Sequence, residues 1–383
     1  MFVSPCPSLS DCNNSQAATH IFNNKQSPAI WTKSDKMEQL VPIHENWNWL
    51  AFGVEPESTY LDLIFADLAD CKLLIKNRTA FSDYNGTEWN GTLTPRVNEM
   101  YKLKIEPLTD SQSSALSSQL SISGRQPKPE EMPVALQKGW NWIAYTPLTT
   151  LTINEALAAA NPQSGDIVKS QTGVAIYGNG TWEGSLQALE SGHGYMYYST
   201  DSQAKQFVYP AVSAASRKVR AFSSALKAPL ATLNYFTPVE LYLYPNNMTM
   251  VIRLVADNAV VDTCEVAAFI GDECRGAVKA TNGLYYLVVA GEGSGQPMTI
   301  RTCIDGEIIT IDDTQQFVSD DNIGTSWEPY VIDIINHVGI GTIAIDNLDD
   351  DDDWWTLQGI KLPRKPLQPG VYIHRGKKVA TGK

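Results

Sequence analysis

The sequence predicts a mainly β protein with two tandem small β-modules, each carrying a short helix, then an immunoglobulin-like β-sandwich and a small C-terminal β domain. Two observations support the modules and the sandwich: a tryptophan-rich segment that occurs twice and about seven short strand-like segments after it. The C-terminal domain is predicted from a separate motif near the end of the sequence. The 383 residues exceed one ordinary domain of about 150 residues. A content of 43% hydrophobic and 19% charged residues is typical of globular domains.

The first two modules are predicted from a duplication. Asn-Trp-Asn-Trp-Leu-Ala-Phe at 46–52 returns as Gly-Trp-Asn-Trp-Ile-Ala-Tyr at 139–145, an offset of 93 residues (139 − 46). The register continues without a gap from 41–93 to 134–186. A module used twice is more typical of extracellular binding and display proteins than of enzymes.

The elements of a module are clearest in the second copy. Alternation of large and small residues in the Trp-x-Trp segment predicts a strand with both tryptophans on one face. Thr152 and Glu155 form a capping-box pattern, which predicts a short helix. Gly-Asn-Gly at 178–180 predicts a hairpin turn before a strand with Trp182, and Gly-His-Gly at 192–194 predicts a second turn. Each module is therefore expected to be mostly antiparallel.

Composition sets the expected boundaries. The segments between modules are rich in Ser, Gln, Gly and Pro, and about seven short strands at regular spacing favour a sandwich. The predicted division is a weakly ordered polar leader at 1–38, repeat module 1 at 39–106, a linker at 107–131, repeat module 2 at 132–211, a linker at 212–231, the β-sandwich at 232–337, and an acidic linker with the C-terminal domain at 338–383.

Charge and residue content argue against several classes of function. A net charge of −13 repels phosphate backbones, so no nucleic-acid partner is expected. No apolar run approaches about 18 residues, so no membrane-spanning segment is expected. The six cysteines include no Cys-x-x-Cys pair and no nearby histidine at zinc-ligand spacing, so neither a metal site nor a cofactor is expected. Buried free thiols and a disulfide both remain open.

The sequence contains no catalytic constellation, so the chain is not expected to be an enzyme. Its five histidines fall in different segments, and none is paired in sequence with a nucleophile. The aspartate run at 349–353 lacks the alternating ligands and the glycine of a calcium loop, which favours a solvated acidic linker. The chain begins without the basic and apolar segments of a secretory signal, so we expect a true start upstream or a removed leader.

Aromatic residues beside the hairpin turns are the candidate ligand-binding residues. Exposed rings at such tips stack on sugar rings in many proteins, so a glycan platform is one interpretation. The other is that the rings fill the small core of each module. The candidate residues are Trp89, Trp182, Tyr84 and Tyr177. The tryptophans of the two Trp-Asn-Trp segments are expected to be buried.

The C-terminal segment carries the most specific motif. Trp-Trp-Thr-Leu-Gln-Gly-Ile-Lys-Leu at 354–362 is followed by Pro-Gly-Val-Tyr-Ile at 369–373 and Gly-Lys-Lys-Val at 376–379. This pattern resembles the C-terminal sorting domains of type IX-secreted bacterial surface proteins, with one departure at Ile360, where many members have arginine. The sorting-signal residues that the resemblance implies are Gly359, Gly370, Tyr372, Gly376, Lys377 and Lys378.

The resemblance implies export across two membranes, a cell-surface or extracellular location, and the secretion machinery as a partner of the tail. The segment 267–276 is similar to sandwich modules of the same class of proteins. The leading hypothesis is a non-catalytic protein for adhesion or for binding glycans or surface proteins of a host. An alternative is that these are accessory modules of a secreted hydrolase or peptidase with its catalytic domain upstream. In a third interpretation the repeats are spacers.

Overall fold

The mainly β prediction is confirmed by a computed structural model of the chain. The structure describes residues 36–109, 118–211, 232–304 and 306–334, and near the C-terminus residues 354–357, 360–362, 364–366, 368, 370–374 and 377–381. The chain divides into two compact units, Met1–Lys227 and Ala228–Lys383. No helix among the described residues has the length and apolar character needed to cross a bilayer.

The first repeat is a five-stranded antiparallel sheet beside a smaller sheet. Its described elements are β1 (Lys36–Pro42), β2 (Asn46–Ala51), β3 (Glu55–Pro56), α1 (Leu61–Ile64), β4 (Cys71–Lys76), β5 (Phe81–Tyr84), β6 (Trp89–Gly91), β7 (Met100–Pro107) and β8 (Gln119–Arg125). The large sheet has the order β2-β7-β4-β5-β6, and the small one has the order β1-β8-β3.

The second repeat has the same arrangement. Its described elements are β9 (Val134–Leu136), β10 (Gly139–Ala144), β11 (Leu151–Thr152), α2 (Ile153–Ala156), β12 (Ile167–Lys169), β13 (Val174–Gly178), β14 (Thr181–Gly184), β15 (Ala188–Leu189), β16 (Gly194–Ser199) and β17 (Lys205–Phe207). Its five-stranded sheet has the order β10-β16-β12-β13-β14, which matches the first repeat strand for strand. The predicted capping box is present, but α2 is a single turn.

One strand lies where the sequence predicts a linker. β8 falls inside the range 107–131, and it pairs with β1 over seven residues. Leu120 and Ile122 point into the core of the repeat, while Ser121 and Ser123 alternate with them on the other face. The serine-rich composition therefore conceals a strand of period two. β1 likewise begins at Lys36, within the range predicted as leader. The other predicted linker, 212–231, lies outside the described residues.

A buried asparagine holds the start of each large sheet. The amide of Asn48 accepts a hydrogen bond from the His44 N–H (2.7 Å) and donates to the carbonyls of His44, Asn46 and Leu103. Asn141 makes the same four contacts in the second repeat, with Gln137, Gly139 and Tyr197.

The turn residue ahead of each Trp-Asn-Trp segment is left-handed. Asn46 has a φ of 68° and Gly139 has a φ of 89°. Glycine and asparagine are the residues that adopt this conformation most readily. The Asn or Gly before the motif, and the Asn inside it, are therefore requirements of the fold.

The second unit contains a β-sandwich. Its described strands are β18 (Asn246–Ala256), β19 (Ala259–Val261), β20 (Glu265–Ile270), β21 (Glu273–Lys279), β22 (Tyr285–Gly291), β23 (Gln296–Ile304), β24 (Glu307–Thr310), β25 (Gln315–Phe317), β26 (Asn322–Ile323) and β27 (Tyr330–Asp333). β18 pairs with β19 and β22, and it pairs in parallel with β26 and β27. The other sheet has the order β21-β20-β23-β24, and β25 pairs with β23. One apolar core includes residues of both sheets.

Glu265 in the sandwich is a buried carboxylate that leads to a prediction about pH. Burial alone raises its pKa, but N–H donors from Asn234, Tyr235 and Phe236, together with Lys279, outweigh burial and lower the pKa from 4.5. The stability that Glu265 contributes is therefore present above about pH 4.5 and is lost as the pH falls through the lower, folded-state pKa.

We expect Glu265→Gln to destabilise the sandwich by about 2 kcal/mol at pH 7, because the amide cannot accept all these hydrogen bonds. The difference from the unchanged protein should shrink towards pH 3. Hydrogen exchange of β20 and β23 by mass spectrometry, at several pH values, measures this difference. Asp272→Asn, at an exposed turn, is the matched control. A difference that is constant from pH 7 to 3 contradicts the argument.

The described C-terminal residues form a four-stranded antiparallel sheet. Its strands are β28 (Trp354–Thr356), β29 (Lys361–Leu362), β30 (Gly370–His374) and β31 (Lys377–Thr381), in the order β29-β28-β30-β31. The acidic run at 349–353 lies outside the described residues.

Candidate functional site

The four aromatic residues proposed as a ligand site form one cross-strand pair in each repeat. Tyr84 and Trp89 face each other on β5 and β6, with stacked rings whose centroids are 5.3 Å apart. Tyr177 and Trp182 occupy the same positions on β13 and β14 and meet edge to face at 5.3 Å. The duplication therefore preserves the pair as well as the strands.

Of the two interpretations of these rings, a place in the core of the module fits Trp182. Only 6% of this residue is exposed, and its ring packs against Tyr197 in the core of the second repeat. Its backbone N–H donates to the Asn154 side chain of α2, which fixes the strand further. Trp89 is half-buried and contacts Phe65 and the core of the first repeat. These rings serve mainly to fill the cores of the modules.

The opposite face of each large sheet carries a row of tryptophan and lysine side chains, here named the tryptophan face. Cross-strand pairing in the first repeat gives the row Trp49, Lys102, Lys76 and Phe81. The equivalent row in the second repeat is Trp142, Met196, Lys169 and Val174. A lysine recurs at the third position because its ammonium group lies over a tryptophan ring, at 5.0 Å from Trp47 for Lys76 and at 4.4 Å from Trp140 for Lys169.

The two tryptophan faces contact each other. Trp49, Met100 and Met196 form a buried cluster with Trp140 and Trp142. The ammonium of Lys102 lies 4.7 Å from the Trp49 ring centre and 4.8 Å from that of Trp142, and Lys102 is only 1% exposed. Trp47 and Trp49 are therefore buried as expected, whereas Trp140 and Trp142 are only partly buried. Part of this burial comes from contacts between the modules, as between Lys102 and Trp142.

The glycine turn at 192–194 belongs to the same interface. The Ala51 N–H donates to the Gly192 carbonyl, and the Leu50 backbone pairs with His193. A Cβ on Gly194 would lie 2.3 Å from the Met100 side chain, so only glycine permits this approach. This explains why the first repeat has no equivalent Gly-His-Gly sequence: the turn in the second repeat packs against the first.

A hairpin tip of the second repeat covers the edge of the first sheet. Residues 170–173, named tip 2, connect β12 and β13. From this tip Gln171 donates to the Trp47 carbonyl (2.9 Å) and accepts from the Trp49 N–H (3.2 Å). Because an amide carries both a donor and an acceptor, it matches the exposed backbone of an edge strand such as β2.

The equivalent tip of the first repeat is exposed and has different side chains. Residues 77–80, named tip 1, connect β4 and β5, and the Asn77 side chain accepts from Thr79 and Ala80 in a tight turn. Arg78 stands where tip 2 has Gln171, and Phe81 stands where the second repeat has Val174. Phe81 is 57% exposed, whereas Val174 is fully buried.

A shallow open depression of about 380 Å³ lies at tip 1. It is lined by Leu74, Lys76, Asn77, Arg78, Thr79 and Phe81. None of these residues was predicted as a site from the sequence. The alignment of the two copies shows a difference at two of these positions, where Arg78 aligns with Gln171 and Phe81 aligns with Val174. In each pair the residue of the second copy is buried and that of the first is exposed.

The described residues that were predicted as a sorting signal lie in the C-terminal sheet. A Cβ on Gly370 would lie 3.1 Å from the Tyr372 ring, so this glycine makes room for the tyrosine. The Trp354 ring stacks on His374 at 4.2 Å. Lys377 is exposed, and burial lowers the pKa of the half-buried Lys378. Gly359 and Gly376 lie outside the described residues.

The described cysteines are unbridged. Cys71, Cys264, Cys274 and Cys303 are buried and form no disulfide, and burial raises the pKa of Cys71 and Cys274. A raised pKa disfavours the reactive thiolate. In the described part of the chain, no group of three histidine, cysteine or acidic side chains could hold a metal ion.

Comparison of the chain with protein-family models and with curated proteins gives no significant match.

Proposed function

We propose that the chain is an exported, non-catalytic protein of the bacterial surface or the medium that acts in adhesion by binding ligands. The observation that carries this proposal is the C-terminal sheet, where the sorting-type residues have a defined structural purpose. Gly370 lies against the Tyr372 ring, and Lys377 is presented on β31. Such an ordered element suits recognition by a secretion machinery.

The repeats support a binding role rather than a catalytic one. Two of their buried tyrosines are engaged in structural hydrogen bonds with carboxylates, since Tyr101 donates to Glu99 and Tyr197 donates to Asp166. Burial raises the pKa of both tyrosines, which keeps their hydroxyls protonated. Groups held in this way stabilise a platform. They are poorly suited to exchange protons with a substrate.

Export is tested with a tail variant in a bacterium that carries a type IX secretion system. We expect Gly370→Val to reduce the protein at the surface and in the medium to background, because valine displaces Tyr372. Val331→Ser, on an exposed strand of the sandwich, is the control and should be exported normally. Deletion of 354–383 should act like Gly370→Val.

The export test has a clear negative outcome. If the chain without residues 354–383 reaches the surface as efficiently as the whole chain, the tail is not an export signal. Immunoblots of cell, surface and medium fractions give the measurement. A steady cellular level of each variant shows that loss from the surface is a failure of export and not of folding.

A further inference from the structure

Tip 1 of the first repeat differs from tip 2 in a way that changes what it can bind. Gln171 of tip 2 satisfies an edge strand because its amide both donates and accepts. Arg78 of tip 1 has five N–H donors and no acceptor. It therefore cannot reproduce this contact with the edge strand of a second copy of the chain. Arginine is suited instead to a carboxylate.

The net charge around tip 1 is positive, whereas the net charge of the whole chain is negative. The tryptophan face and tip of the first repeat carry five cations, which are the buried Lys102 and, more exposed, Lys72, Lys76, Arg78 and Lys104. Three carboxylates lie on this face or beside the tip: Asp83, Glu106, which is paired with Lys104, and Glu99, which accepts from the Asn77 side chain. The local excess is two positive charges (5 − 3) in a chain of net charge −13. This surface favours an anionic ligand.

An exposed phenylalanine lies next to these cations. Phe81 faces Lys76 across β4 and β5, and it lines the depression together with Leu74 and Arg78. The depression, of about 380 Å³, is of a size suited to a small ligand rather than to a large protein interface. β5 lies between β4 and β6, so it offers no free edge on which a peptide could add as a strand.

We propose that tip 1 and the adjoining face of Lys76 and Phe81 bind the acidic sugar of an anionic glycan. Arg78 and Lys76 hold the carboxylate, and the ring of Phe81 contacts the apolar face of the sugar. This inference rests on the proposal that the chain is a binding protein, and it names the ligand class and the site. The second repeat keeps its equivalent surface for the contact with the first.

The test uses the purified full chain and calorimetric titration with oligogalacturonate, with cellohexaose as the neutral probe. We expect binding of oligogalacturonate alone, and binding that weakens as salt rises. Arg78→Gln and Phe81→Val install the side chains of the second repeat, and each should weaken binding by about tenfold or more. Lys138→Gln, an exposed lysine in the second repeat, removes the same charge and should bind normally.

Several results overturn the inference. Equal binding by the unchanged chain, Arg78→Gln and Phe81→Val excludes this site. Binding of cellohexaose with the same affinity excludes an acidic sugar. Binding of polyglutamate in place of oligogalacturonate, with loss in both variants, assigns the face to an acidic peptide. If the chain binds none of the probes and also binds no other glycan or protein on screening arrays, the binding function itself is contradicted. Normal binding with failed export contradicts only the proposed location.

Discussion

Asn48→Ala is expected to lower the free energy of unfolding of the first unit by about 3 kcal/mol. Alanine removes four hydrogen bonds, at 2.7 to 3.4 Å, between the amide and the backbone, in a position only 4% exposed. The effect is large because these contacts fix both the left-handed turn before β2 and the pairing of β2 with β7. Asn141→Ala should have a similar effect, since it removes the same four contacts in the second repeat.

Urea unfolding followed by tryptophan fluorescence measures this effect, because six of the ten tryptophans lie in the two repeats. Asn90→Ala is the matched control, since Asn90 is exposed on β6, and its change should stay within about 0.5 kcal/mol. If Asn48→Ala were as mild as Asn90→Ala, the asparagine of the repeated motif would not be structural.

The duplicated motif made the modules predictable because its alternation of tryptophans indicates a strand with one tryptophan-bearing face. The motif recurs in an ungapped register of 53 residues (93 − 41 + 1), which excludes coincidence. The role of the asparagine between the tryptophans was not predicted, because it depends on backbone groups of the turn and of a neighbouring strand. The same alternation indicated that the motif tryptophans are buried, but not that the partner of Trp49 is another module.

The strand β8 was assigned to a linker because its polar face consists of Gln119, Ser121, Ser123 and Arg125, and glutamine and serine are also common in linkers. Only Leu120 and Ile122 carried the period of a strand, and two residues are too few to outweigh the composition around them. The pairing of β8 with β1 depends on contacts between residues far apart in the chain, as between Lys36 and Arg125, which are 89 positions apart (125 − 36). Local patterns do not report such pairings.

The candidate site was only partly predictable. The pairing of Tyr177 with Trp182 followed from the hairpin, but the burial of Trp182 depends on Tyr197, which comes from β16. The site at tip 1 was not predicted from the sequence for a related reason. The contrast between Arg78 and Gln171 is visible in the alignment, but its meaning depends on which tip lies against a neighbouring module.

Asp166→Leu is expected to lower the free energy of unfolding of the first unit by about 4 kcal/mol. Asp166 is fully buried and accepts from the Tyr197 hydroxyl (2.6 Å), from the Thr200 N–H (2.8 Å) and hydroxyl (2.7 Å), and from the Gln163 N–H (3.0 Å). The Lys205 ammonium lies 3.8 Å away. Leucine leaves these buried donors without their shared acceptor.

The first repeat has apolar residues at the positions of Asp166 and Tyr197, which leads to a prediction for a double variant. The positions equivalent to Asp166 and Tyr197 hold Leu73 and Leu103, both buried in the core of the first repeat. The same fold is thus built with a polar pair in one copy and an apolar pair in the other. We therefore expect Tyr197→Leu to recover about 1 to 2 kcal/mol when it is added to Asp166→Leu, because the two leucines can then pack together.

A double-mutant cycle in urea measures this coupling from the unchanged chain, the two single variants and the double variant, with Asp67→Asn, an exposed carboxylate, as the control. Strict additivity would contradict the argument, because it would mean that Asp166 and Tyr197 stabilise the repeat independently. If the double variant recovers part of the lost free energy of unfolding, the duplicated module accepts either a polar pair or an apolar pair at these positions. The recurring parts of the motif, the tryptophans, the lysine and the asparagine, are then the parts that the fold requires in both copies.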